Sequence, residues 1–499
     1  MASFADTTVT ADEGAPRAGE QTQGVVAAQA LQVSEAPRAS QPSAAAHGLV
    51  ARLAAALDAD PLNPALHAAH ADALDEAGDP NGALAHRIAV ETFNTVASTA
   101  QDVAVASVAL LTALPLYNLA TAYFMRGNHE AAVHWYRHTV SFAPDLAMAH
   151  QNLAAVLELL NRQDEAHLHR DRAYSLQRVF VEPCETPTRR VLILCAGRGS
   201  GNIPFDTLLP TQTSYRIKYA IDYASDAEDF QLPPHDLVFN AIGEPDIAQP
   251  LMPRLDAFTQ RSRRPLLNRP AAVMRTQRHL LPQLLAGLDD VLTAPCMRLD
   301  GPPQSSDALF EQIVQGRLGF PLLLRPLATH GGEGLTLHDS LDTLWPAVQQ
   351  MNAPCYLTMF RNYQSADGHY RKYRSVFVDR VPLPYHLAIS PQWMVHYFSA
   401  DMLAHPWKLD EERRFLEDPR AALGARATDA LAAVAQRLDL DYGGVDYTVL
   451  PDGRVLVFEA NATMLVHREA ADGVLAHKNG FVERIVDAFE QMQAARCGK

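Results

Sequence analysis

Between Ala113 and Ala147, the residues Leu116, Leu119, Ala120, Tyr123, Gly127, Ala132, Tyr136 and Pro144 fall at the offsets of a two-helix unit 34 residues long. Small Ala120 and Ala132 would let the paired helices approach closely, and Tyr123 and Tyr136 would fill the space between neighbouring pairs. Gly127 stands where the turn between the helices wants a left-handed conformation, which glycine adopts without steric cost. A shift of 34 positions brings Leu153, Ala154, Leu157, Asn161, Ala166 and Ala173 onto the same offsets. Asn161, the next best residue for that conformation, then replaces the glycine. Earlier, Pro61, Ala71, Leu74, Gly78, Ala83 and Val90 keep the same internal spacing, separated from the next copy by an insert of about 15 residues near 98–112. A chain that repeats in this way is directed toward stacked helical hairpins, each burying its apolar face against the next.

This region, residues 48–182, resembles tetratricopeptide repeats in three copies, the middle one clear and the outer two degenerate. A helical bundle with coincident spacing is the competing expectation. Such repeats imply a surface for a peptide, for another protein or for a second copy of the chain, so a protein partner and a homodimer are both expected here. Residues 1–47 are rich in Ala, Gln, Ser, Thr, Gly and Pro and carry few large apolar residues. They cannot bury enough surface to offset their ordering entropy and are expected to be disordered.

At 499 residues the chain exceeds one ordinary core. A net charge of −15 argues against a general nucleic-acid binder, which needs a basic footprint. The five cysteines, Cys184, Cys195, Cys296, Cys355 and Cys497, are scattered and form no CxxC pair, which fits free thiols in a reducing cytosol. No apolar run reaches the length of a membrane span, and Asp6, Asp12, Glu13 and Glu20 leave no apolar leader at the N-terminus. A cytoplasmic protein without membrane or nucleic-acid partners is therefore expected.

From Arg189 the texture changes. Short β-rich runs, Val191–Ala196, Leu237–Asn240, Leu322–Arg325, Arg374–Val378, Gly443–Leu450 and Val455–Glu459, alternate with helical stretches. Pro183 and Pro187 mark the joint. The most informative segment is the last pair of strands. Gly443-Gly444-Val445-Asp446 enters one strand, Pro451-Asp452-Gly453 makes a turn, and Val455 to Asn461 returns. This hairpin places Asp446 and Glu459 on neighbouring strands and points Glu459 and Asn461 to one face. Two carboxylates and an amide oxygen form a hard-oxygen set suited to Mg²⁺. Solvated acids on an ordinary hairpin fit poorly, because these strands are strongly apolar and an unpaired carboxylate there is costly.

The Asp…Glu-x-Asn hairpin resembles the metal-binding end of ATP-grasp enzymes, and segments upstream resemble that superfamily in order. Phe320–Pro326 is similar to the strand whose basic residue, here Arg325, reaches nucleotide phosphates. Thr329 to Leu335 is similar to the glycine-rich loop over them, with His330, Gly331, Gly332 and Gly334 as contacts. Tyr356–Phe360 is similar to the hinge that reads adenine, through Thr358, Met359 and Phe360. Tyr373–Val378 is similar to the strand whose arginine, Arg374, contacts the transferred phosphoryl group, with Lys372 beside it. Asn268-Arg269-Pro270, with Arg278 or Arg275, is similar to the opening of the nucleotide domain. The chain departs from the family in using arginine at both nucleotide-contacting lysine positions and in lacking the hinge glutamate. Asp367 is the candidate for the ribose.

The resemblance implies a multidomain chain: an all-α tetratricopeptide-like domain, an α/β pre-ATP-grasp domain at 189–268 and an α+β ATP-grasp domain at 269–494. The loop Gly197–Asn202 would serve substrate or phosphate. The resemblance further implies ATP with Mg²⁺, or Mn²⁺ in its place, and a ligase that joins a carboxylate to an amine through an acyl phosphate. Metal ligands would be Asp446, Glu459 and Asn461, and catalytic cations Arg374 and Lys372. An ATP-grasp kinase and a repeat scaffold with a vestigial nucleotide domain are the rival expectations. Arg371 beside Lys372 is a candidate for the substrate carboxylate, with a solvated charge run as the competing expectation; His386 and His396 are candidates to line the acceptor pocket, with packed core histidines as the competing expectation; His467 and Arg468 fall where substrate would sit.

Overall fold

Three turns in the helical part repeat one geometry. Gly78, Gly127 and Asn161 take left-handed φ values of 82°, 76° and 58°. In each turn the next residue donates back five positions: Asp79 to Leu74, Asn128 to Tyr123 and Arg162 to Leu157. These turns join α2 (Pro64–Glu76) to α3 (Pro80–Thr99), α4 (Val105–Met125) to α5 (His129–Phe142), and α6 (Ala147–Leu159) to α7 (Gln163–Leu176), after α1 (Ala44–Ala59). The computed structural model describes residues 44–99, 105–197, 201–329 and 332–498. Most of the segment expected to be disordered lies outside these residues, although α1 begins at Ala44, inside it. The insert near 98–112 is helical over its described part, because α3 runs to Thr99 and α4 starts at Val105.

Most apolar pattern residues of the second and third copies share one core, while Ala71, Leu74 and Ala83 of the first form a smaller cluster of their own. Leu116, Leu119, Ala120, Tyr123, Ala132, Tyr136, Leu153, Leu157 and Ala166 are all buried in the shared core, each large side chain contributing about 2 kcal/mol by leaving water. Tyr117, Thr121, Tyr136 and Asn152 pair their polar atoms within it. Tyr136 Oη meets Thr121 Oγ1 at 2.8 Å, and Asn152 Nδ2 donates to Tyr117 Oη and Tyr136 Oη, both at 3.0 Å. A histidine relay crosses α2 and α3. His67 Nε2 lies 2.9 Å from the Pro61 carbonyl, His67 Nδ1 lies 2.8 Å from His86 Nδ1, and His86 Nε2 lies 3.0 Å from His70 Nδ1. The carbonyl only accepts, so neutral rings leave one proton arrangement: His70 donates to His86, His86 to His67, and His67 to Pro61. The device recurs without its third ring in α6 and α7. There His150 Nε2 lies 3.0 Å from the Pro144 carbonyl and His150 Nδ1 lies 2.9 Å from His169 Nδ1.

The chain separates into two units between Arg178 and Val179. The helical run therefore stops short of 182, and β1 (Val179–Glu182) belongs to the second unit, where Glu182 forms buried ion pairs with Arg216 and with Lys218. With β1, the strands β2 (Arg189–Cys195), β3 (Ser214–Ala220), β4 (Leu237–Asn240) and β5 (Leu266–Leu267) form a sheet in the order β1-β3-β2-β4-β5. It is parallel except for β1. Next come β6 (Val291–Thr293), β7 (Cys296–Leu299), β8 (Leu322–Pro326), β9 (Thr336–His338) and β10 (Cys355–Met359). The last four strands are β11 (Tyr370–Val378), β12 (Val381–Ser390), β13 (Tyr442–Val449) and β14 (Val455–Asn461). Four of these strands pair antiparallel in the order β7-β10-β8-β9, and five pair as β12-β11-β13-β14-β6.

Four cores position these sheets, the largest being the one in which Phe377, Leu387 and Val445 pack with Phe415 and Leu431. Val191 and Ile193 of β2 pack with Val376, Tyr442, Met464 and Phe489, so the two five-stranded sheets share a core. Leu192 and Leu194, on the other face of β2, pack with Leu255 and Phe258. The four-stranded sheet has its own core, built from Leu299, Leu309, Leu322, Leu324, Leu344 and Leu357. Asn268, at φ 53°, ties the first sheet to β13. Its amide exchanges two 2.8 Å hydrogen bonds with the Tyr442 backbone, and its N–H donates to Asp441 at 2.8 Å. No described helix is long and apolar enough to cross a membrane.

Candidate nucleotide and metal site

Strands β11, β13 and β14 bring three residues into one row: Arg374 opposite Asp446, and Asp446 opposite Glu459. The entrance to β13 needs glycine for close backbone approach. A Cβ on Gly444 would lie 2.4 Å from the Ser375 carbonyl oxygen, and one on Gly443 would lie 3.1 Å from that of Asn461. Asp446 accepts a two-pronged bond from Arg374, Nε at 2.7 Å and Nη2 at 3.0 Å, and pairs with Lys372 Nζ at 3.2 Å. Glu459 pairs with Arg278 and, at 3.5 Å, with Arg325 of β8. The row thus sits where the four-stranded sheet faces the β11–β14 sheet.

Burial opposes both carboxylate charges, but the cations outweigh it. Arg374 and Lys372 hold Asp446 well below the usual carboxylate range, and Arg278 and Arg325 hold Glu459 down at about 2. Burial likewise opposes the charge on Arg278, and Glu459 and Glu244 outweigh it. Among the described residues, these ion pairs set four cations against two carboxylates, an excess of positive charge suited to a polyphosphate. Ionised, buried oxygen donors also fit a hard divalent cation, which would be held by Asp446 and Glu459. Asn461 is turned differently. Its Oδ1 accepts from the Thr463 N–H at 2.6 Å and from the Thr463 hydroxyl at 2.5 Å.

The glycine loop is described from Gly332. Gly332 and Gly334 have φ values of 79° and 65°, and Cβ atoms there would fall 2.5 Å from His396 Nε2 and 2.8 Å from Pro326 Cγ. His330 and Gly331 lie outside the described residues, as do residues 198–200 of the Gly197–Asn202 loop. The base of the glycine loop holds Arg325, whose guanidinium donates to Thr329. At the hinge, Thr358 Oγ1 lies 3.2 Å from Cys296 Sγ. The N–H groups of Met359 and Phe360 donate to the Pro295 and Pro321 carbonyls, both at 2.9 Å.

Several candidates sit elsewhere. Arg278, not Arg275, reaches the row; Arg275 pairs with Asp439 at 3.4 Å. Arg371, one residue from Lys372, binds Glu411 and Asp367, so Asp367 is engaged by a cation. His386, opposite Arg374 across β11–β12, is kept neutral by burial and by Arg374 and Lys478. His467 Nδ1 lies 3.0 Å from Tyr385 Oη, and Arg468 pairs with Glu483. Sequence reasoning missed Asn268 as a link between sheets and Asp246 as the shared partner of Arg298 and Tyr356. The asparagine just before Arg269-Pro270 is the sequence signal for the former, since asparagine tolerates the left-handed backbone that Asn268 takes.

No protein-family model and no curated protein matches the chain. Among solved structures, it is similar to the VanG D-Ala:D-Ser ligase of Enterococcus faecalis, with 11% identity and a TM-score of 0.38 over 62% of this chain and 100% of that one. It is similar to the D-cycloserine synthetase DcsG, with 14% identity and a TM-score of 0.39 over 62% and 99% of the two chains. It is also similar to a RimK-domain ATP-grasp protein of Sphaerobacter thermophilus, with 16% identity and a TM-score of 0.35 over 61% and 98%.

Proposed function

We propose that this chain is an ATP-dependent carboxylate–amine ligase of the ATP-grasp kind. The observation that carries the reading is the row Arg374–Asp446–Glu459, with Lys372, Arg278 and Arg325 around it. Arg278 and Arg325 would bind the triphosphate, exchanging part of their pairing with Glu459 for phosphate oxygens. Gly332 and Gly334, free of Cβ atoms, would let the loop backbone close on those oxygens. Mg²⁺, or Mn²⁺, on Asp446 and Glu459 would neutralise charge on the β- and γ-phosphates. Arg374 and Lys372 would leave Asp446 in part and stabilise the phosphoryl group as it passes to the substrate carboxylate. An amine held nearby would attack the acyl phosphate and release phosphate. Positioning supplies most of the rate, and no separate nucleophile is needed.

The helical unit is proposed to be a tetratricopeptide array that presents a peptide or protein. The three identical turns at Gly78, Gly127 and Asn161 support this. Hydroxylamine trapping tests the ligase reading. With ATP, Mg²⁺ and a carboxylate library, the ligase yields ADP, phosphate and a hydroxamate. ADP with a stable phosphoester and no free phosphate would place the chain among kinases. Absence of nucleotide turnover with any acceptor would leave the repeats as its active part.

A further inference from the structure

A second cluster lies in the helical unit and uses none of the residues assigned to the nucleotide and metal site. His134 and His138 are one turn apart on α5 and share a face. The Nε2 atoms of both lie near a single atom, Asp58 Oδ1 of α1, at 2.9 Å and 3.7 Å. The three donor atoms lie within 4.8 Å of one another. A tetrahedral ion with bonds of about 2.0–2.1 Å needs donors about 3.3 Å apart, and the two observed separations straddle that value.

The surroundings hold this arrangement. Leu57, next to Asp58, is fully buried in the helical core. Trp135 packs against both imidazoles, with ring centroids 5.0 Å and 5.4 Å away, and the imidazoles meet edge to face. The nearby carboxylate Glu165 pairs with Arg137 and Arg162. The ion pairs of Asp58 among the described residues are with the two imidazoles alone. A simple surface ion pair needs one imidazole. The second ring, 3.7 Å from an oxygen already bonded, gains no short hydrogen bond from its position.

We infer that Asp58, His134 and His138 form a binding site for a divalent transition metal, Zn²⁺ by chemistry, that fastens α1 to α5. Two imidazoles and one carboxylate suit Zn²⁺ or Co²⁺ rather than Mg²⁺. This site is therefore chemically distinct from the hard-oxygen pair in the second unit. Three protein donors leave a fourth position for water or for a donor from a bound partner.

The test uses the full-length chain, stripped with chelator and kept in saturating Mg²⁺, then titrated with Co²⁺. The expected result is a tetrahedral visible band at one equivalent that Zn²⁺ displaces. His134→Gln and His138→Gln should abolish the band, and Asp58→Asn should weaken binding by roughly tenfold or more. These side chains are partly exposed, so far-UV circular dichroism should report unchanged helix content in the variants. No band in the wild type, or a band of undiminished affinity in all three variants, overturns the assignment.

Discussion

Replacing His86 by glutamine removes one titrating ring from the relay but keeps a side chain able to hydrogen bond. His86 is 0% exposed, and burial, reinforced by His70 and His67, pushes its pKa from 6.5 down to about 2. The folded chain therefore keeps this ring neutral where the unfolded chain binds a proton. Its contribution to stability is complete above the unfolded value and is lost progressively as pH falls from 6.5 toward about 2. Between about pH 7.5 and about pH 5, proton uptake lowers the unfolded state by about 2 kcal/mol for this one ring. Structure explains why the folded state resists: a proton on His86 Nε2 would displace the bond from His70 Nδ1. The assay is urea unfolding at a series of pH values, followed through Trp135, whose ring lies 5.6 Å from that of His86. Trp345, Trp393 and Trp407 are replaced by phenylalanine so that only the helical unit reports. His67 and His70 titrate in both proteins, so the difference between wild type and His86→Gln isolates the one ring. That difference should fall by about 2 kcal/mol across the range. A difference that stays constant would mean that folded His86 takes up a proton like a free imidazole, and the relay would be wrong.

In the second unit, Asp446→Ala and Glu459→Ala should each weaken Mg²⁺-dependent ATP binding by roughly tenfold or more, measured by calorimetry. Asn461→Ala should cost less, because its oxygen already serves Thr463. Equal losses in all three would restore the amide to the metal. Arg374→Ala should lower kcat by roughly a hundredfold while leaving ATP affinity within a few-fold. A raised KM for ATP with unchanged kcat would make it a ground-state contact. A fragment beginning at Arg178 should fold and bind MgATP. One beginning at Thr188 loses β1, the edge strand over β3, and with it Glu182, the buried partner of Arg216 and Lys218, and should melt at a lower temperature. Equal thermal stability of the two fragments would refute that account of β1.

The helical turns and the last hairpin were readable because each depends on local signals. Gly78, Gly127 and Asn161 are short-range requirements of the backbone, and Asp446 and Glu459 follow from the two-residue period of β-strands. What stayed hidden depends on long-range partners. β1 is four residues whose only reason to be a strand is β3, and its acid is explained by Arg216 and Lys218, more than thirty positions away. The pairing of Asp446 with Arg374 and of Glu459 with Arg278 needs the sheet register and the approach of a separate segment. The histidines of the relay carry no local signal, because each one is made tolerable by another ring 16 or 19 positions away.

Because the two five-stranded sheets share one core and the four-stranded sheet keeps another, the second unit has a mechanical seam. Arg325 and Glu459 face each other across it, as do Arg298 and Tyr356 with Asp246. These contacts act as latches that can part without disturbing either core. Entry of a nucleotide and escape of its product would then open the seam by trading a few ion pairs, and strengthening the Arg298–Asp246–Tyr356 latch, which uses none of the proposed nucleotide or metal groups, should slow turnover.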